Sequence, residues 1–273
     1  MSRAVAIALV AWGNAWLTGH VGLDEAVDEV EKSAGPQIVG GEPAEVTLRR
    51  GLGDLRVGGL AALRLALPEP GDPLGLTGPP SFNAAAIEAG AAAVAVLDGR
   101  GMGLVPSEDR RGSSYVGVRW TTHDASAAPP DVPSLAEADR RLTLAMRDAT
   151  EALLAVDDFA GVPPEIADAL VDLRDPDRGD HPLAPGYPPR AHRVAALAGR
   201  LSLVVDLARQ MDDRGLSADQ MRRRGEALRL LDAGVRRALV AACNSAFDTD
   251  AHAVPHLAHL RYGIGTAQRG WLT

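Results

Sequence analysis

The chain has 273 residues, 46% of them hydrophobic, which is enough to bury a substantial core and more than the commonest single-domain size. A net charge of −8 opposes phosphate backbones and anionic bilayers, and no apolar run approaches the roughly 20 residues of a membrane span, so neither nucleic acid nor membrane is an expected partner. Lys32, the one lysine among 28 basic residues, lies outside any glycine frame, which excludes a P-loop and a Schiff-base lysine, and the single cysteine, Cys243, forms no internal disulfide, so a cytoplasmic location is expected.

In chain order, Val5, Leu9, Trp12 and Trp16 space the stripe of an amphipathic helix rather than a signal peptide, since no small-residue cleavage site follows. Leu23, Val27 and Val30 space a second helix ended by Gly35 and Pro36, with a short strand expected over 36–41 and a third helix through Leu48, Leu52 and Leu55 up to Gly58. Residues 61–67 alternate as a strand, 68–80 form a Pro/Gly loop, and Ser81 is the expected N-cap of a helix closed by Gly90. Strands follow at 92–97, 102–105 and 114–123, so residues 1–125 read as an α/β or α+β domain.

Residues 124–133 have linker composition and mark the expected boundary, open to proteolysis along with 175–189. Over 134–247 the pattern becomes helical. A capping box at Ser134–Glu137 opens a helix lined by Leu135, Ala138, Leu142, Met146, Ala149, Leu153 and Val156, and Pro163 opens a shorter one with Ile166, Leu170 and Leu173. Val194, Leu197, Leu201, Val204, Ala208 and Met211 line the first arm of a helical hairpin. Met221, Leu228, Leu231, Val235, Leu239 and Ala242 line the second, which a capping box at Ser217–Gln220 begins, so that a bundle-like C-terminal domain is expected ahead of a weakly patterned tail over 248–273.

Charge divides within this half: eight acids stand against two arginines over 157–180, and eleven arginines against six acids over 186–245. A basic docking face centred on Arg222, Arg223, Arg224, Arg236 and Arg237 is one reading. Acidic cover of that face, or ordinary solvated helices, is the favoured one, because the hairpin carries no aromatics to stack bases.

Catalytic signatures are missing: there is no G-x-S-x-G, no H-E-x-x-H and no reactive setting for Cys243, so the chain carries no enzyme assignment and no cofactor. His252, His256 and His259 have helical spacing, but a terminal segment holds ligand geometry poorly and no metal is expected. Gly99, Gly101 and Gly103 read as a hairpin turn, not a dinucleotide loop. The best candidate is the strand-loop-helix path over 68–83, where Ser81 and Asn83 stand at a helix N-terminus suited to an anion, with Arg64 on the strand and Arg119 beside Tyr115 and His123 on one face of another. A capped helix beside a solvent-facing strand accounts for the same residues.

The stretches LRLALPEPGDPLGLTGPPSFNAAAIEAG (63–90), PGYPPRAHRV (185–194) and AWGNAW (11–16) resemble a family of uncharacterised proteins from GC-rich bacteria, with a likeness spanning most of the chain. That family implies a full-length cytosolic protein and no particular activity. The functional expectation is a non-catalytic binding or protein-interaction protein, with a protein partner or self-association through the helical half. The alternative is a small-molecule protein or enzyme taking an anion or phosphate at 68–83.

Overall fold

The computed structural model describes residues 2–40, 45–111, 115–154, 183–210 and 217–247. The expected helix at 163–173, the acidic segment 157–180, the 212–216 connection and the His252, His256 and His259 group lie outside the described residues. Helices α1 (Ser2–Leu17) and α2 (Leu23–Ala34) lead into strand β1 (Gln37–Val39), then β2 (Val46–Thr47) and α3 (Leu48–Val57). Strand β3 (Ala62–Ala66) runs through a long loop into α4 (Pro80–Ala89), and the hairpin strands β4 (Ala92–Leu97), β5 (Arg100–Arg111) and β6 (Tyr115–Ala125) follow. The C-terminal part is helical: α5 (Leu135–Leu154), α6 (Pro189–Gln210) and α7 (Ala218–Asn244), closed by a 3-10 turn at Ser245–Phe247. Among the described residues no helix is long and apolar enough to cross a membrane.

One six-stranded sheet in the order β2-β1-β6-β5-β4-β3 organises the N-terminal part. Only β1 and β6 run parallel; the other neighbours are antiparallel. Asp98 and Gly99 form the two-residue turn between β4 and β5, with Leu97 opposite Arg100, so the hairpin reading holds at Gly99, while Gly101 and Gly103 lie within β5. Strand β5 is longer than the alternation suggested, because its polar half, Ser107 to Arg111, is held by β6 rather than by burial.

Helix α1 departs most from expectation. Instead of one stripe, Val5, Ala6, Leu9, Val10, Ala11, Gly13, Asn14 and Ala15 are all buried, while Trp12 and Trp16 are only half-buried. It lies on β3, β4 and β5 with α2 and α7 against its other sides, so nearly its whole circumference faces protein. Gly13 permits this approach, since a Cβ there would stand 2.4 Å from Leu63 Cδ1. The same core continues through Leu142, Tyr187, Val194, Val235 and Leu239, so the mixed α/β part and the helical part share one hydrophobic interior. A smaller core, with Phe82, Val94 and Val105, lies under α4 on the opposite face of the sheet.

The stripe on α7 matches its expected residues from Leu228 to Ala242, but Met221 is exposed, and beyond Ala238 the helix is buried almost all round. On α6 the fully buried positions are Ala191, Val194, Ala195, Ala198 and Val205, whereas Leu197 and Leu201 pack at the margin. Both α5 and α6 pack on α7.

Strand β3 is the edge of the sheet and its outward backbone groups are sealed by side chains. Asn14 accepts from the Leu63 N–H at 2.8 Å and donates to the Leu63 carbonyl at 2.8 Å. Asn244, at the end of α7, repeats the pairing at Leu65, accepting at 2.7 Å and donating at 3.3 Å, and Arg236 Nη1 donates to the Leu67 carbonyl at 2.8 Å. Two amides and a guanidinium thus replace a seventh strand, closing an edge that would otherwise invite pairing. Tyr187 joins the set from the PGYPPRAHRV stretch: its hydroxyl donates to the Cys243 carbonyl at 3.0 Å and accepts from Asn14 Nδ2 at 3.4 Å.

Candidate functional site

The loop from β3 to α4 does not wander over the surface. Leu67 N–H returns to the Leu74 carbonyl, Glu69 and Asp72 exchange backbone bonds, and Gly75, at φ +88°, sits so close to β3 that a Cβ would lie 2.7 Å from Ala66 Cα. Farther along, the loop is tied to the segment after β6: Ser126 N–H donates to the Gly78 carbonyl and Thr77 Oγ1 to the Ser126 carbonyl. Between residues 72–76 of this loop and residues 131–133 lies a cavity of about 440 Å³, completed by Glu137 and Arg141 of α5 and Arg237 of α7. Its walls therefore come from the sheet-bearing part, the connecting segment and the helical part, a setting ligand pockets favour.

Behind one wall stands an ionic cluster. Asp232 and Arg236, i and i+4 on α7, are both buried, at 1% and 2% exposure. Arg236 Nη2 reaches Asp72 at 3.0 Å and Glu69 at 3.1 Å, and Asp232 accepts from Arg3 Nη1 at 3.1 Å with Arg209 Nη2 at 3.6 Å. Arg236 Nε and Asp232 Oδ2 make no hydrogen bond, but they face each other at 3.5 Å as an ion pair. Burial pushes the Asp232 carboxyl upward, yet the Arg3 bond and charge outweigh it and hold the group below its ordinary range. Arg237 Nη2 shares Asp72 at 3.0 Å, so Asp72 is the residue common to cluster and cavity. Of the five lining charges, Arg237 pairs with Asp72 and Arg141 with Glu137, leaving Asp131 without an ion pair among the described residues.

The four residues singled out from the sequence are dispersed around this feature. Ser81 is not an N-cap: Pro79 holds that position, Pro80 begins the helix, and Ser81 is exposed within the first turn. Asn83 serves the turn instead, accepting the Gly78 N–H at 3.0 Å. Arg64 is spent on the carbonyls of Ala127 and Ala128, both at 3.1 Å, and burial lowers its guanidinium pKa. Arg119 lies two strands away from β4 and three from β3, where it binds Glu45 and Asp109; its bond to Glu45 raises its pKa, and the bonds from Arg111 and Arg119 lower that of Glu45. Arg119 belongs to an outer-face quartet with Arg111, not to the loop.

The basic face centred on Arg222, Arg223, Arg224, Arg236 and Arg237 does not form as a face. Arg236 is interior and Arg237 turns to Asp72, while Arg222 and Arg223 pair with Asp219 one turn away. The stripe on α7 does not single out Asp232 and Arg236 as partners, although a charge pair at i, i+4 directly before the apolar run 238–243 is the available signal. Among the described residues no group of histidine, cysteine and acidic side chains is arranged to hold a metal.

Comparison with known proteins places this architecture in a family. The model of the Rv1486c-like protein N-terminal domain matches residues 6–134, and that of the Rv1486c-like protein C-terminal domain matches residues 136–240. The chain is 26% identical over 279 residues to the uncharacterized protein MT1533 of Mycobacterium tuberculosis (strain CDC 1551 / Oshkosh), an alignment covering 86% of this chain and 94% of that protein. No solved structure matches. The two domain matches adjoin at residue 135 and together take in the sheet, the cavity and most of the three C-terminal helices, and the chain therefore belongs to the Rv1486c-like family, from GC-rich bacteria.

Proposed function

We propose that this protein is a non-catalytic cytoplasmic binding protein that holds a small polar molecule in the groove between residues 72–76, residues 131–133, α5 and α7. The observation that carries the reading is the cavity itself, about 440 Å³ and walled by both family domains. Four of its five charged groups are oriented by ion pairs and backed by a buried cluster, which suits recognition by preset polar groups more than proton transfer. The helices α5, α6 and α7 act as a bundle-like support for one wall. A buried thiol and no second cysteine fit a reducing compartment.

Thermal-shift titration of the full chain with a panel of nucleotides, sugar phosphates, amino acids and amines tests the proposal. A true ligand at 100 times its Kd stabilises by about 2.7 kcal/mol. Val132→Trp, which fills the groove from a partly exposed position, should abolish that gain while leaving the unliganded melting temperature nearly unchanged. A flat panel, or a gain that survives Val132→Trp, removes the groove from consideration. Protein docking on the helical half is a second reading, favoured by exposed Leu144, Leu203 and Leu230, one on each of its three helices.

A further inference from the structure

Strand β5 outruns β4. The register pairs β4 with β5 only as far as Leu104, whereas β6 stays with β5 to Arg111. The side-chain seals at Leu63 and Leu65 show which backbone groups of β3 point away from β4, and antiparallel alternation carries that parity across the sheet. The odd residues of β5 face β6 and the even ones face outward. The far side of β6 agrees, since Val118 N–H and the Trp120 carbonyl bond toward β1. Beyond Leu104 the outward residues of β5 are Pro106, Glu108 and Arg110, and among the described residues no bond from the Glu108 or Arg110 backbone leads away from β6. Proline has no N–H to offer, so Glu108 and Arg110 alone present donor and acceptor together.

From this edge we infer a two-fold homodimer in which two copies pair antiparallel through β5, setting Glu108 opposite Arg110 of the partner subunit and Arg110 opposite Glu108 of the partner subunit. Charge complementarity selects the partner and the register. Three antiparallel registers let outward residues meet, centred on Glu108, Asp109 or Arg110. The first and last place like charges face to face, and only the one centred on Asp109 gives two opposite-charge pairs related by the dyad. Glu108 and Arg110 are exposed and, among the described residues, pair with each other at 2.8 Å. Val116, opposite Arg110 on β6 and 50% exposed, adds an apolar flank on the same face of the seam. The inference does not depend on the groove.

Sedimentation velocity of the full chain from micromolar to near-millimolar protein tests it. The wild type should shift from monomer to dimer with concentration, and Glu108→Arg or Arg110→Glu should each remain monomeric with an unchanged circular dichroism melt. The double variant carrying both changes should recover the dimer, and an equimolar mixture of the two single variants should form a heterodimer. Hydrogen exchange at the Glu108 and Arg110 amides should slow in the wild type as concentration rises. A wild type monomeric throughout, single variants that dimerise undiminished, or a double variant that stays monomeric would each overturn the proposal; the second outcome would point to the exposed leucines of the helical half.

Discussion

At the scale of single residues, burial has turned polar side chains into structural parts. Asn14 is fully buried and answers both outward groups of Leu63, so Asn14→Ala leaves an interior N–H and carbonyl unpaired and should cost about 2–4 kcal/mol in chemical denaturation. Asn83→Ala strips the Gly78 N–H of its acceptor and should cost about 1 kcal/mol, whereas Ser81→Ala, at an exposed position with no cap bond, should stay within about 0.5 kcal/mol; a large Ser81 effect would restore its role as a cap. Burial pushes the Cys243 thiol up to about 12, so it should react with a disulfide reagent only after unfolding. Asp232, held below the unfolded carboxylate value of about 3.9, stabilises the fold above that pH and loses its contribution as pH falls through and below it. Asp232→Asn should therefore flatten the acid limb of the stability curve while destabilising the protein at neutral pH, where Arg236 loses a buried partner.

At the scale of elements, periodicity located almost every described helix and strand, because a buried stripe and a pleated alternation leave regular spacings in the chain. It erred where an element meets protein on more than one side. The Val5–Trp16 stripe of α1 was real but incomplete, since Ala6, Val10 and Asn14 meet other neighbours, and small residues such as Ala11 and Gly13 carry little periodic signal. On α7, Leu239 is 2% exposed at the center of the helical packing, so Leu239→Asp should abolish cooperative unfolding. Leu201→Asp on α6 should be milder, because Leu201 is only partly buried between two cores. Comparing the two melts checks this ranking.

At the scale of the molecule, one interior runs under both family domains, and the edge of the sheet is closed by Asn244 and Arg236 from α7. Residues 1–134 expressed alone lose both seals and the α7 neighbour of α1, so they should not give a dispersed NMR spectrum, and the full chain should unfold in a single transition. Two separate transitions would contradict a shared core. The 124–133 segment, read from composition as an open linker, is held at Ser126 by the loop and at Ala127 and Ala128 by Arg64, so protease should spare it in the native protein.

The sequence by itself determined the change from mixed α/β to helical structure, the Gly99 hairpin, the cap at Ser217 and the loop region that later borders the cavity, since each depends on residues close along the chain. Tertiary structure alone decided that Asn14 and Asn244, 230 positions apart, seal the same strand, that Asp72 meets Arg236 and Arg237 across 164 and 165 positions, and that Arg64 and Arg119 stay strands apart. The reason is physical: local spacing encodes which face of an element is buried, whereas a polar side chain's partner is set by which elements the shared core brings against it, and no spacing in the chain records that encounter.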